Sequence, residues 1–277
     1  MNAGPRTAVL VSFALLWAAQ LCFMAGRTAP GAALLLAGWA PLWAARTEDR
    51  HPSSLSAGWS FAAALFAIAL AFRLWNIGEH PPVWSDEGIE AYDVKCLLAG
   101  KKLEPLEGIS YHRAPLWLAI RTATALFAGT SFLAMTADAV MIGSAAVVLV
   151  FILGSRLLGP AAGVLAGAFL CFHPWLLHQS RMLQGNILVP ASGAVIILVC
   201  VNSRLPLVRR AVLAGLVAGV NLYGYAAGLH LPLLAALALA LPSEDGEPAG
   251  RRLKAAAVAL AIPAAFLSAG LMLAPGY

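Results

Sequence analysis

One pattern limits what this chain can fold into: apolar stretches of about twenty residues, with few or no charges, recur along most of its length. A bilayer's hydrocarbon core is about 30 Å thick, and a helix rising about 1.5 Å per residue needs about 20 apolar residues to cross it. Candidate crossings lie at 7–24, 29–45, 57–76, 136–155, 160–177, 187–203, 209–227, 228–242 and 255–275. The stretch 228–242 is short and needs its flanks to complete a crossing. Soluble domains are about 25% charged, whereas this chain of 277 residues is 11% charged and 61% hydrophobic. A soluble core of this size cannot hide that much apolar surface. The expectation is an all-α, polytopic transmembrane helix bundle of about nine spanning helices. The first run, Thr7–Met24 after Arg6, exceeds the 7–15 apolar residues of a secretory signal and is taken as a retained helix.

Loop charge predicts the orientation. Arg46 and Arg50, Arg156, the group Arg204, Arg209 and Arg210, and the group Arg251, Arg252 and Lys254 can all face the cytoplasm. This requires 57–76 to run outward and 114–132 not to cross. Arg121 sits in the middle of 114–132 beside Thr122 and Thr124, which suits a helix lying along the membrane surface. The arginines are scattered at segment ends and form no continuous basic face, so nucleic acid is not an expected partner. The four cysteines show no CxxC and no metal-type spacing, and three of them sit in apolar runs as small hydrophobes.

The loop 77–113 then faces outward, together with 178–186 and 222–230. It holds Glu79, Asp86, Glu87, Glu90, Asp93, Glu104 and Glu107, seven of the thirteen acidic residues. Within it "SDEGIEAYDVKCLLAGKK" reads as a helix capped by Ser85, with the acidic pair in the first turn and lysines past the end. Ile89, Tyr92, Cys96 and Leu97 form its apolar stripe. Asp86 and Glu87 have two readings: acid decorating a helix N-terminus, or a carboxylate serving as general base or cation ligand. Arg73 reads either as an interfacial anchor or as a partner of the loop or of a lipid phosphate. His112 and Arg113 open the lying helix, and a guanidinium binds phosphate through paired donors. His178, Arg181 and Asn186 occupy one outer turn; Asn221, Tyr223, Tyr225 and His230 occupy another. No phosphate-binding loop, dinucleotide fingerprint, HExxH or GxSxG is present, which leaves nucleotide-driven transport and common hydrolase chemistry unsupported.

The order of these pieces resembles the GT-C superfamily of membrane glycosyltransferases. It is most similar to the dolichyl-phosphate-mannose protein mannosyltransferases and the bacterial lipid A aminoarabinose transferases. The resemblance runs over about residues 57–242. Arg73-Leu74, Pro81-Pro82, Asp86-Glu87 and Gly100 match the first outward loop of that pattern. "YHRAPLWLAI" is similar to its Pro-Pro-Leu juxtamembrane helix, with Ala114 in place of the first Pro. "GSRLLGPAAGVLAGAFLCFHPWLLHQSR" is similar to the next helix pair with its Ser-Arg turn, and "NLYGYAAGLHLPL" to the Tyr-x-Tyr turn. Asn186 stands where many members carry an Asp, and two helices precede the family's first.

The resemblance implies a GT-C-like catalytic core at 57–242, preceded at 1–56 by two extra membrane helices. Residues 243–277 follow as a cytoplasmic loop and a final helix, an incomplete C-terminal part. It implies inverting transfer of a sugar from a polyprenyl-phosphate carrier to a protein, lipid or glycan acceptor on the outer face of the plasma or inner membrane. Asp86 and Glu87 would be catalytic, with a divalent cation as an option there. Arg73, His112, Arg113, Arg181, Asn186, Tyr223, Tyr225 and His230 would bind substrate. The alternatives are a polytopic transporter or lipid-binding membrane protein, and a truncated family member without activity.

Overall fold

A computed structural model describes residues 55–79, 85–101, 115–242 and 246–273. The expected helices at 7–24 and 29–45 fall outside these residues, as do His112, Arg113 and the side chain of Asp86. Regular structure among the described residues is helical throughout. Helices α1 (Leu55–Leu74), α2 (Ser85–Leu98), α3 (Pro115–Ala128), α4 (Phe132–Leu158), α5 (Pro160–Phe172) and α6 (Pro174–Gln179) come first. After a 3₁₀ turn at Gly185–Ile187 come α7 (Leu188–Cys200) and α8 (Leu207–Asn221). A second 3₁₀ turn at Ala226–His230 leads to α9 (Leu231–Ala240) and α10 (Ala249–Leu273).

The boundaries follow from local chemistry. Gly129 and Gly159 end α3 and α4 at φ +90° and +96°, a left-handed conformation that a side chain disfavours. Pro160 and Pro174 then sit at first helical positions, where a missing N–H costs nothing. The break before α6 is capped by His173, whose Nδ1 accepts from Leu176 N at 3.3 Å.

The chain divides into two compact units: the described part of Met1–Ala64 with Val150–Phe169, and Leu65–Leu149 with Leu170–Tyr277. In the first, the end of α4 and the start of α5 form a hairpin that depends on glycine. A Cβ on Gly154 would lie 3.0 Å from Gly163 Cα, and one on Gly163 would lie 2.6 Å from Phe151 O.

In the second unit, α7, α8, α9 and α10 form a bundle. Its core is built on Ile196, Leu231, Leu239 and a series of buried alanines from Ala211 to Ala259. Gly215 and Gly219, four residues apart on α8, let α10 approach closely: Cβ atoms there would lie 3.2 Å from Ala259 O and 2.8 Å from the Phe266 ring. Arg210 is buried and its Nη1 donates to Cys200 O at 3.2 Å, placing a cation at the C-terminus of α7.

Among the described residues, Phe132–Leu158 and Ala249–Ala269 are long and apolar enough to cross a membrane. Only 22% of the second span's most apolar window is buried, unlike the core helix of a soluble protein. Of the other apolar helices, α1 runs 20 residues, about 30 Å, whereas Pro115–Ala128, Pro160–Phe172, Gly185–Cys200 and Ala227–Ala240 each give roughly 20–24 Å, short of a full crossing. Of the stretches expected to span, 160–177 is interrupted at His173-Pro174, and 187–203 is helical only over Leu188–Cys200.

Replacing Gly163 by Leu is expected to open the hairpin: the Ser155 hydroxyl nearest to it can rotate away, but Phe151 O and Ser155 N are backbone and cannot. The expected loss is about 1–3 kcal/mol, measured by detergent unfolding of the reconstituted protein.

Candidate functional site

Helices α2 and α3 meet the start of α4 and the turn at 180–184 around a small apolar core. Val94, Ala125, Met135 and Leu183 are buried there, with Ala91, Leu98, Leu118 and Phe132 packed against them. The inward face of α2 therefore runs through 87, 90, 91, 94 and 98, at helical spacing. The expected apolar stripe is not this inward face: Cys96 is buried and Ile89 half-buried, while Tyr92 and Leu97 are exposed. The physical reason is that Glu87 and Glu90 find partners inside, so α2 turns a charged face inward.

Those partners centre on Arg121, which is fully buried on α3. Its Nη2 meets Asp138 Oδ1 at 3.0 Å and its Nε meets Asp138 Oδ2 at 3.2 Å, a two-pronged pair. Nη1 donates to the carbonyl of Leu183 and approaches Glu90 Oε2 at 3.5 Å. The guanidinium carbon lies 4.5 Å from the centre of the Trp117 ring. Trp117 in turn donates from Nε1 to Glu90 Oε2 at 2.9 Å. Glu87, also fully buried, accepts the Leu183 N–H on Oε1 at 2.5 Å. The Leu183 peptide is thus held from both sides, its N–H by α2 and its carbonyl by α3.

The second outer turn joins the same assembly through the backbone. Leu116 N donates to Tyr223 O at 2.9 Å. A Cβ on Gly185 would lie 2.7 Å from Gly224 O and 3.0 Å from Trp117. Segments near 87, 117, 183 and 223 therefore converge although far apart in the chain.

The expected site residues divide. Glu87, Arg181, Asn186 and the Tyr223 backbone belong to the converging segments. Arg181 Nη2 donates to Trp75 O at 2.8 Å, tying the outer turn to the end of α1. Asn186 Nδ2 donates to Gln179 Oε1 at 2.6 Å and to Gln184 Oε1 at 3.1 Å. The Tyr223 hydroxyl donates to Phe266 O at 2.5 Å and is taken up inside the bundle. Tyr225 is half-buried in an extended conformation. His230 is exposed, and its Nδ1–H donates to Ala227 O at 2.6 Å. Arg73 is fully buried instead of interfacial, because α4 approaches closely at Gly143, where a Cβ would lie 3.0 Å from Arg73 Nε. Its Nη1 donates to Ala69 O at 3.0 Å, while Nε and Nη2 have no hydrogen-bond partner among the described residues. Arg121 likewise does not sit on a polar outer face.

Glu90, Trp117, Arg121 and Asp138 were not expected at the site. The signal was an Arg and an Asp in neighbouring apolar segments, where each needs the other for partial neutralisation. Among the described residues no group of three or more His, Cys, Asp or Glu is arranged to hold a metal ion. Glu87 is committed to a backbone N–H and Asn186 turns its amide NH₂ toward two glutamines. That donor set does not fit a divalent cation at Glu87, and no chemical step is routed through one.

Compared with protein-family models, with curated proteins and with solved structures, the chain matches none.

Burial raises the Glu90 carboxyl from its ordinary 4.5 to about 7; Arg121 and the Trp117 N–H pull it back, and Asp138 and Glu87 push it further up. Folded Glu90 binds its proton more tightly than unfolded Glu90. Its contribution to stability is full below about pH 4.5 and is lost as pH rises through about 7. The melting temperature is expected to fall across this range, and Glu90→Gln is expected to remove that component.

Asp138→Ala leaves Arg121 buried without its main counter-charge and is expected to cost about 3–5 kcal/mol in unfolding measurements. The double change Arg121→Met with Asp138→Leu is expected to recover most of that loss.

Proposed function

We propose that this chain is a multi-pass membrane glycosyltransferase of the GT-C type. It transfers a sugar from a polyprenyl-phosphate carrier to an acceptor hydroxyl or amine at the outer membrane surface. The ordered resemblance over about residues 57–242 supports this reading. The observation that carries it is the anchoring of the first two turns of α2, Glu87 on Leu183 N of the 180–184 turn and Glu90 on Trp117 and Arg121 of α3. A catalytic group at the start of α2 gains from such fixing, because small misplacements cost large factors in rate.

The helix directions suit the proposed orientation. Arg156 ends α4, Arg209 and Arg210 begin α8, and Arg251 and Arg252 begin α10, all compatible with one cytoplasmic side. The turns at 180–187 and 222–230 then share the outer side with α2. In this topology the short helices cross together with their neighbours, α5 continuing through α6 and α7 preceded by its 3₁₀ turn. Exposed Trp75, Leu126 and Phe127 would meet lipid near the outer surface.

In the proposed reaction the acceptor oxygen or nitrogen attacks the anomeric carbon from the face opposite the phosphate. The carbon–oxygen bond to phosphate breaks, its electron pair leaves with the phosphate, and the configuration inverts. Asp86 accepts the acceptor's proton. Arg113 and Arg181 stabilise the departing lipid phosphate, joined by Arg73 if its side chain turns outward. His112, Asn186, Tyr225 and His230 bind the donor, while the Tyr223 hydroxyl stays on Phe266 O. Glu87 keeps a positioning role: its bond to Leu183 N holds the turn that bears Asp86.

The second reading, a transporter or lipid-binding protein, draws on Arg73, a buried cation with no carboxylate partner among the described residues. The two separate in one assay: turnover of polyprenyl-phosphate sugars by purified protein in nanodiscs, followed by mass spectrometry of the lipid. Wild type is expected to release free polyprenyl phosphate and glycosylated acceptor, and Asp86→Asn to lose about 100-fold or more. Wild-type turnover in Asp86→Asn would remove Asp86 as the base.

A further inference from the structure

We propose that Glu90 is a pH-sensitive latch between α2 and α3. With its proton it stays on Trp117 and holds the middle of α2 in place; ionised, it turns to water and lets that part of α2 loosen. The latch requires no particular reaction and stands apart from the glycosyl-transfer reading.

Three carboxylates share one guanidinium here. With Glu87, Glu90 and Asp138 all ionised beside Arg121, the cluster carries a net charge of −2 (+1 for Arg121, −3 for the carboxylates). Carboxylates crowded around a single cation in a buried site do not all ionise at equal cost, and the least supported one keeps its proton. Asp138 is the best supported: Arg121 reaches both its oxygens, at 3.0 and 3.2 Å, and Ala139 N donates to Oδ1 at 2.6 Å. Glu87 accepts the Leu183 N–H. Glu90 has the Trp117 N–H at 2.9 Å and the more distant Arg121 Nη1 at 3.5 Å, both on Oε2. One neutral donor and a cation held more closely by Asp138 are the poorest support of the three.

Glu90 is also the member that can leave. Its side chain is 30% exposed, against 3% for Asp138 and none for Glu87. Its departure takes the acceptor from the N–H of Trp117, which is itself buried. The polar ties from α2 to α3 run through Glu90, to Trp117 and Arg121, whereas Glu87 ties the first turn of α2 to Leu183. Release of Glu90 therefore frees the middle of α2 and leaves its first turn anchored.

The charged groups acting on Glu90 are Arg121 on α3, Asp138 on α4 and Glu87 on its own helix. Asp93, three residues along α2, is buried, and Arg181 of the 180–184 turn donates to Trp75 O. Burial raises the Glu90 carboxyl to about 7; Arg121 and the Trp117 N–H pull it down, and Asp138 and Glu87 push it up. Docked Glu90 thus binds its proton more tightly than a free carboxyl at 4.5. Docking is favoured at low pH and weakens as pH rises through about 7.

Hydrogen exchange of the full-length protein in nanodiscs, corrected for the intrinsic pH dependence of exchange, tests the latch. Protection of the amides at 90–98 is expected to fall about tenfold between about pH 6 and 8, the linkage for a carboxyl that moves between 4.5 and about 7. Glu90→Gln keeps an oxygen for the Trp117 N–H and cannot ionise, so its protection is expected to stay constant over that range. In protein labelled with fluorotryptophan, the fluorine resonance missing from Trp117→Phe is expected to shift with a midpoint near pH 7 in wild type and to stay fixed in Glu90→Gln. Wild-type protection that is independent of pH overturns the latch, as does a Trp117 resonance that does not titrate. Survival of either pH dependence in Glu90→Gln overturns it as well.

Discussion

The buried Arg121 guanidinium is the constraint around which one end of the second unit is organised. A cation removed from water costs several kcal/mol unless its donors are filled. Here they are filled by Asp138 from α4, the Leu183 carbonyl from the outer turn and, less closely, Glu90 from α2, with the Trp117 ring over its face. Each acceptor belongs to a different segment, so each segment must take its place for the cation to be tolerated. Such a pair adds little net stability compared with apolar residues of the same size. Its effect lies in selecting which helices meet, since a shifted register of α2 or α4 would strand a charge.

The remainder of that unit is held by a different force. Where α8 meets α10 there are no ion pairs among the described residues; small residues let the helices approach until Gly215 lies against the Ala259 carbonyl. Dispersion over many close contacts stabilises such an interface, and its energy falls steeply if a side chain intervenes. The polar groups there are used locally: Tyr223 donates to Phe266 O and Arg210 to Cys200 O. One end of the unit is thus specified by charge and the bundle by close packing.

These two forces differ in how far they can be read from sequence. The long apolar run of α4 and the glycine–proline punctuation at Gly129, Gly159 and Pro160 are local signals, and the helices obey them. The nine-span count was less legible, because hydropathy does not register the breaks at His173-Pro174 and before Leu188. The charge network was almost illegible. Arg121 pairs with residues 17 and 31 positions away, and nothing local marks those partners. Apolar periodicity marked Ile89, Tyr92, Cys96 and Leu97 as a stripe suited to a membrane surface, but it gave no sign of the inner face of α2, because Glu87 and Glu90 are drawn inward by partners that exist only in the fold. Arg73 misled for a related reason: its place at the end of α1 suggested an interfacial anchor, yet close approach at Gly143 buries it.

The adjacent acidic pair at the start of α2 can now be divided. Successive helical residues are rotated by about 100°, so two neighbours cannot face the same partner. Glu87 is committed inward, with its carboxylate on a backbone N–H and no exposed surface. The backbone at position 86 is held by that commitment and turned to a different azimuth. Replacing Glu87 by Gln would keep the shape but remove the charge from the bond to Leu183 N, weakening it by roughly half. In an acidic pair of this kind the buried member alone fixes the turn, and the two carboxylates cannot share that task.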